Sequence, residues 1–232
     1  MIELLILSLI QGVTEFIPVS SSSHLILISN YLNFNNQNLS IDVSLHIGSF
    51  FAVIFYFKND IFNFLHNRIL FLKILVASVP VMIAGYVLIK LDLIDQLRNI
   101  KIIGWATILF AILLFFSDKF KKTKIIDNNL SLKSVLFIGV FQILSLIPGV
   151  SRSGITITAG RFLEFKRVEA AKISFFLSIP TLAAVSFFGI NNLLETESFR
   201  FSLTNLLSIF LSFIFSLITI KYFLKYISKF SL

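Results

Sequence analysis

Two apolar stretches, residues 1–32 and 132–160, are each interrupted midway by helix-breaking and polar residues. In the first these are Pro18 and Ser20 to Ser23; in the second, Pro148-Gly149 and Ser151 to Gly154. Five further segments, 43–57, 69–91, 100–117, 172–190 and 203–224, are apolar throughout and read as membrane-spanning helices. A break at membrane depth frees backbone N–H and C=O groups that lipid cannot satisfy, so it survives only where protein buries it or water reaches it. The pattern predicts an all-α polytopic membrane protein with about five transmembrane helices, two broken-helix hairpins and a polar chamber where they meet. Proline kinks in ordinary spans are the simpler alternative, but they do not account for serine-rich breaks in two similar settings.

Composition agrees with this reading. Of 232 residues, 56% are hydrophobic and 14% charged, against about 45–50% and about 25% in soluble domains, and the mean hydropathy is +0.91. At roughly 20 apolar residues per crossing, no length remains for an aqueous domain, so residues 1–232 are read as one integral membrane domain. The lack of cysteine excludes disulfides, thiolate metal sites and cysteine nucleophiles. The formal charge of +8 arises from 20 Lys and Arg spread over loops and helix ends, which suits anionic lipid head groups rather than nucleic acid. The opening MIELLILSLI has no basic stretch and runs into a polar motif, so it is not read as a removable signal peptide.

Loops 118–131 (Lys119, Lys121, Lys122, Lys124) and 161–172 (Arg161, Lys166, Arg167, Lys172) carry the basic excess that marks a cytoplasmic face. With both inside, segment 132–160 is re-entrant, the acidic loop 191–202 falls outside, and Lys221, Lys225 and Lys229 return inside. Counting backwards puts 58–68 inside and 33–42 outside, so segment 1–32 re-enters from the opposite side. Loop 92–99, flanked by Lys90, Arg98 and Lys101, runs against this count. The breaks also share a pattern: Gln11 precedes Ile17-Pro18-Val19 and serines, and Gln142 precedes Ile147-Pro148-Gly149 and Ser151-Arg152-Ser153. Together these features predict an inverted-topology repeat, about 1–117 and 131–232, in which broken helices build a site near the midplane.

The breaks hold the residues fit for chemistry. Gln11 and Glu15, four apart, share a helical face, and an ionisable group in an apolar stretch is a functional candidate by default. Ser20, Ser21, Ser22 and Ser23 precede His24 where a second helix starts, a place where free N–H groups and hydroxyls attract anions. His24 is a candidate acid, base or nucleophile beside Glu15. In the second break, Arg152 offers a permanent charge in a fork that suits phosphate oxygens. Ser151, Ser153 and Thr156 add hydroxyls, and Gly149 and Gly154 let the backbone approach a ligand. Pairing of Arg152 with Glu15 is its structural alternative. A lipid phosphate ester fits this set.

These motifs make the chain resemble the undecaprenyl-diphosphate phosphatase family, also called the bacitracin-resistance protein family. Gln11, Glu15, Pro18, Val19, Ser20, Ser21 and His24 match its first signature. Pro148, Gly149, Ser151, Arg152, Ser153 and Gly154, preceded by Gln142, match its second. LHIGSFFAVIFYF at 45–57, Pro80 to Gly85 and Glu169 to Pro180 extend the likeness over nearly the whole chain. Ser22-Ser23 departs from the family's more usual Thr-Gly. The family's last apolar helix has no counterpart up to Leu232, so five spans are expected where the family has six, with an incomplete second repeat.

The resemblance implies hydrolysis of undecaprenyl diphosphate to undecaprenyl phosphate and inorganic phosphate, which recycles the lipid carrier of cell-wall synthesis, with bacitracin resistance as the associated trait. It also implies a bacterial cytoplasmic-membrane location, a cavity open to the outside and a homodimer. Because a diphosphate would repel Glu15, a divalent cation, Mg²⁺ or Ca²⁺, is expected between them, held by Glu15 with Gln11. Arg152, Ser151, Ser153 and Thr156 are expected to grip phosphate, and either Ser21 or His24 to carry the attack. The alternative is a polyprenyl-phosphate flippase or transporter, since broken-helix inverted repeats are common in transporters.

Overall fold

The computed structural model describes residues 1–34, 38–66, 68–91, 99–119, 123–195 and 202–232. The described residues are helical, with one isolated bridge between Lys124 and Phe165. In chain order the helices are α1 (Ile2–Thr14), α2 (Ser21–Leu32), α3 (Leu39–Tyr56), α4 (Lys58–His66), α5 (Arg68–Lys90), α6 (Ile100–Asp118) and α7 (Ile126–Asn129). After these come α8 (Leu132–Ile143), a 3₁₀ turn at Leu144–Leu146, α9 (Arg152–Phe162), α10 (Arg167–Glu195) and α11 (Leu203–Ile227).

Helices α3, α5, α6, α10 and α11 are long and apolar enough to cross a membrane. At 1.5 Å per residue, their 18 to 29 residues reach about 27–44 Å, against about 30 Å of hydrocarbon. Helices α1 and α8, with 13 and 12 residues, reach only about 20 Å. Neither crosses alone, so each depends on its hairpin partner and on the spans around it.

All five expected spans are present, with α10 extending beyond 172–190 at both ends. Its first turn holds Arg167 and Glu169, charges that made the helix start look like loop. The expected loops fall partly outside the described residues: 35–37 of 33–42, residue 67 of 58–68, 92–98 with Arg98, 120–122 with Lys121 and Lys122, and 196–201 of 191–202. Short helices occupy the described parts of 58–68 and 118–131.

The chain that leads into α8 lies beside the chain that leaves α9. Lys124 N–H donates to the Glu164 carbonyl (3.0 Å) and Lys166 N–H to the Lys124 carbonyl (3.0 Å), while Ile126 N–H donates to Glu169 Oε2 (3.0 Å). The second interrupted segment therefore starts and finishes at one face. Asp118, buried at the end of α6, fastens that face. Arg161 Nε lies 2.9 Å from its Oδ1, and Arg167 Nε donates to both carboxylate oxygens at 2.9 and 3.0 Å. Arg161 also donates to the Phe165 and Asp118 carbonyls. Arg161 and Arg167, counted above as loop charges, are thus helix-terminal and both paired with Asp118.

Helix α3 packs against both α10 and α11, α1 lies on α11 and α8 lies on α5. Small residues set these approaches, as expected where helices meet without a hydrophobic driving force. Ser49 bonds Ser212 and Ser216 across the α3–α11 seam, and a side chain at Gly12 would collide with Phe215 and Ser216 of α11. Beside the site, Phe16 is fully buried and meets Phe175 edge-on at 5.4 Å, and Phe175 in turn contacts Phe57 and Phe223. This aromatic group locks the residue after Glu15 against α10.

Replacing Asp118 by Ala leaves a buried guanidinium without its anion, a change that costs roughly 3–5 kcal/mol. Thermal unfolding in detergent should show a large fall in Tm for Asp118→Ala, whereas Lys124→Ala, whose partner Glu164 is solvent-exposed, should leave Tm nearly unchanged.

Candidate active site

The first break starts where α1 ends. Glu15 continues the helical turn, its N–H still donating to the Gln11 carbonyl, and Pro18 stops the helix because it has no N–H and restricts the residue before it. A tight turn closes with Val19 N–H on the Ile17 carbonyl at 2.7 Å. Ser20 then takes an extended conformation as the N-cap of α2, but its hydroxyl makes no capping bond and lies 3.3 Å from Ser22 Oγ. In the second break, Gly149 adopts φ +99° and a Cβ there would stand 2.5 Å from the Ile103 carbonyl oxygen, so only glycine fits. Ser151 caps α9 through the Gly154 N–H at 3.1 Å.

The two tips are joined. Ser153 Oγ donates to the Ile17 carbonyl at 2.7 Å, and the Pro18 carbonyl oxygen lies 3.4 Å from where a Cβ at Gly154 would stand. Arg152 Nη2 donates to Glu15 Oε1 at 2.8 Å, and its Nη1 to the Ser174 carbonyl at 3.3 Å. The other carboxylate oxygen, Oε2, accepts from Gln11 Nε2 at 3.0 Å and from Ser21 Oγ at 2.8 Å. Glu15 thus carries a guanidinium on one oxygen and a hydroxyl on the other, with both side chains of the ion pair mostly buried.

This cluster lines a cavity of about 240 Å³. Glu15, Ser21, His46 and Arg152 form a polar pole, joined by Ser20, Ser22 and Ser151. Gln142, Ser145 and Thr181 are the other polar residues of the lining. The remainder is apolar, chiefly Val81, Leu146, Leu182 and Val185. The wall positions on α5 and α10 belong to the halves of those helices remote from the Asp118 end.

Other residues singled out from the sequence are placed differently. His24 does not line the cavity; its Nδ1 lies 2.7 Å from the Ser20 carbonyl oxygen, a consequence of its position in the first turn of α2. Thr156 is fully buried and donates within α9 to the Arg152 carbonyl and across to Ser174 Oγ on α10, each at 2.8 Å. Ser153 holds the first hairpin, and Gly149 and Gly154 serve close backbone approach.

The imidazole beside Glu15 is His46, on α3. Its Nδ1 is 3.0 Å from Gln11 Nε2 and 3.8 Å from Glu15 Oε2. Gln11 turns its NH₂ toward the carboxylate, which offers only acceptors, and the same NH₂ faces His46 Nδ1. His46 stands in the largely apolar run LHIGSFF, where being the one ionisable residue is the only signal of its role. Gln142 is the other residue passed over. Among the described residues, no group of three or more His, Asp and Glu is placed to hold a metal.

Residues 4–232 match the family described as bacitracin resistance protein BacA. The chain is 48% identical over 232 residues to a protein of Pelagibacter ubique named undecaprenyl-diphosphatase, covering all of this chain and 90% of that one. It is 37% identical over 227 residues to a Jannaschia protein of the same name, covering 92% and 85%. A Stutzerimonas stutzeri protein named undecaprenyl-diphosphatase 2 is 36% identical over 245 aligned positions, covering 99% and 90%. With both hairpin motifs in place and the match running from residue 4 to the last residue, this chain belongs to the bacitracin resistance protein BacA family.

Proposed function

We propose that this chain is an integral membrane phosphatase that hydrolyses undecaprenyl diphosphate to undecaprenyl phosphate and inorganic phosphate, recycling the lipid carrier for cell-wall synthesis. The observation that carries the reading is the chain of bonds from Ser21 Oγ through the Glu15 carboxylate to Arg152, at the edge of one cavity.

A serine hydroxyl is a weak nucleophile until a base takes its proton. Glu15 Oε2 already accepts that hydrogen bond. As Ser21 Oγ attacks the terminal phosphorus, the proton passes to Glu15, the Oγ–P bond forms, and the bond to the bridging oxygen breaks, releasing undecaprenyl phosphate. Protonation also weakens the hold of Glu15 on Arg152, freeing the guanidinium for the phosphoryl oxygens as they gain charge. Water then attacks the phosphoserine. Ser21 recovers the proton held by Glu15, and the water proton leaves with inorganic phosphate. Ser21 rather than His24 is the attacking group on this reading, since only Ser21 both lines the cavity and touches the base. The N–H groups at the start of α2, which the Ser20 side chain does not cap, add dipole and donors for the same phosphate.

A divalent cation fits the donors present. Glu15 Oε2, the Gln11 amide and His46 Nδ1 are mutually separated by 3.0, 3.0 and 3.8 Å, and Gln11 Oε1 is buried with no hydrogen-bond partner among the described residues, so rotation of that amide would turn an oxygen toward the other two. The oxygens of Glu15 and Gln11 would hold Mg²⁺ or Ca²⁺, hard ions that take oxygen ligands, with His46 beside them. The ion supplies positive charge that lets a diphosphate approach a carboxylate.

The inverted repeat, with halves of about 1–117 and 131–232, is part of this proposal, and the packing of α1 on α11 and of α8 on α5 supports it. An outward-facing cavity is supported by its position in the halves of α5 and α10 remote from the basic residues near Asp118, a face that the positive-inside rule assigns to the cytoplasm. The cytoplasmic membrane and a homodimer follow from the family likeness.

Purified protein in detergent, where no sidedness exists, should release inorganic phosphate from a polyprenyl diphosphate. Ser21→Ala and Glu15→Gln should each lower the rate by roughly 10²–10⁴-fold while the protein still folds. A flippase or transporter would release none, and turnover retained in both variants would remove the assignment. Chelation with EDTA should abolish release, and added Mg²⁺ or Ca²⁺ should restore it. Gln11→Leu should raise the metal concentration needed for half-maximal rate.

A further inference from the structure

Gln142 closes α8 one residue before its end and is fully buried. Neither its Nε2 nor its Oε1 has a hydrogen-bond partner among the described residues, although an amide left unpaired in a buried place is destabilising. Its counterpart in the first hairpin is fully engaged on the nitrogen side. Gln11 bonds Glu15 four residues on and His46 across the cavity edge, whereas the residue four after Gln142 is Leu146. The second hairpin has kept the amide and dispensed with the carboxylate that would satisfy it.

The same residue lines the cavity that holds Ser21 and Arg152. Nearby hydroxyls are committed within their own helices: Ser145 Oγ donates to the Gln142 carbonyl, and Thr181 Oγ1 to the Leu177 carbonyl. Of these three cavity residues, Gln142 alone keeps an uncommitted side-chain donor, its amide NH₂. The same cavity is lined by Leu146, Val81, Leu182 and Val185, an apolar surface suited to an attached hydrocarbon chain. In a diphosphate the phosphate that bears the lipid lies between the reacting phosphorus and that chain. A neutral amide suits this position, because it donates to phosphate oxygens without adding negative charge.

Resting on the reading of this chain as a polyprenyl-diphosphate hydrolase, we infer that Gln142 is a substrate-binding residue whose amide donates to the lipid-linked phosphate of a diphosphate seated with its terminal phosphate at Arg152; a monophosphate, whose single charged group is drawn to Arg152, leaves that amide unpaired, so the contact favours the diphosphate.

The test is equilibrium binding to the purified full chain in detergent, with two probes: the methylene-bridged, non-hydrolysable analogue of a prenyl diphosphate, and the matching prenyl monophosphate. Gln142→Met keeps the length of the side chain and removes both polar atoms. It should raise Kd for the bridged analogue at least tenfold, change Kd for the monophosphate less than twofold, and leave the Tm of the ligand-free protein unchanged or higher. Equal loss for both probes with a lowered Tm would assign Gln142 a purely structural role and overturn the inference, as would unchanged affinity for the bridged analogue. Phosphate release by the wild-type chain is measured in parallel. Release together with Gln142-independent affinity overturns this subsite alone; no release together with Gln142-dependent affinity overturns the hydrolase and upholds the subsite; failure of the wild type to bind the bridged analogue overturns both.

Discussion

The ion pair between Glu15 and Arg152 is the contact on which the rest of the structure turns. Each charge sits at the tip of a helical hairpin too short to cross a bilayer, and each would be costly to bury alone. Brought together at 2.8 Å, they neutralise one another, and the hairpin tips that carry them can lie inside the protein. The aligned breaks also solve the backbone problem. Carbonyl groups freed by Pro18 and Pro148 meet donors from the opposite hairpin or from α6, as in Ser153 to Ile17 and Thr107 to Gly149, so lipid never has to satisfy them. Hairpin, ion pair and cavity are consequences of one arrangement.

That arrangement also explains why a pair costly to bury is kept. An apolar replacement of similar volume would hold the hairpins together as well or better. It would not hold a carboxylate in its charged form next to a serine, nor keep a guanidinium waiting for an anion. The pair is a resting state for both groups. On the proposed mechanism it would give way as proton transfer to Glu15 begins, so that the stabilisation lost at the carboxylate would be regained at the phosphate.

Most of the architecture is legible in the sequence because the membrane imposes simple constraints. Apolar length marks the spans, and proline with serine marks the breaks. What is not legible is of two kinds. The ends of α10 lie among charged residues that resemble a loop until Asp118 is seen to bind Arg167. Tertiary proximity is the other. Four-residue spacing joins Gln11 to Glu15, but nothing local places His46, 31 positions after Glu15, beside them in space; the His24 ring does follow a local rule, meeting the Ser20 carbonyl four residues back instead of Glu15. Glu15, Ser21 and Arg152 are readable because their chemistry is unusual for their surroundings. Thr156 and Ser153 are as unusual, yet their hydroxyls serve α10 and the first hairpin, a choice that depends on neighbours distant in sequence.

The serine clusters show how one motif, used twice, comes to do different work. In the second break Ser151 caps α9 and Ser153 holds Ile17, so both hydroxyls are spent on structure and the break presents a rigidly seated Arg152. In the first break Ser20 leaves the start of α2 uncapped, and Ser21 points its hydroxyl at a carboxylate instead of a backbone group. A capped helix end is stable and chemically inert, whereas an uncapped one keeps donors available for an anion. One hairpin thus carries the positive charge of Arg152 and the other a hydroxyl bonded to a carboxylate, the group that the proposed mechanism uses for attack. The glutamines divide in the same way: Gln11 has its amide nitrogen bonded to its own hairpin's acid, whereas neither amide atom of Gln142 has a partner among the described residues. Two chemically distinct walls arise from a single pattern because four-residue spacing pairs a glutamine with Glu15 in one copy and with Leu146 in the other.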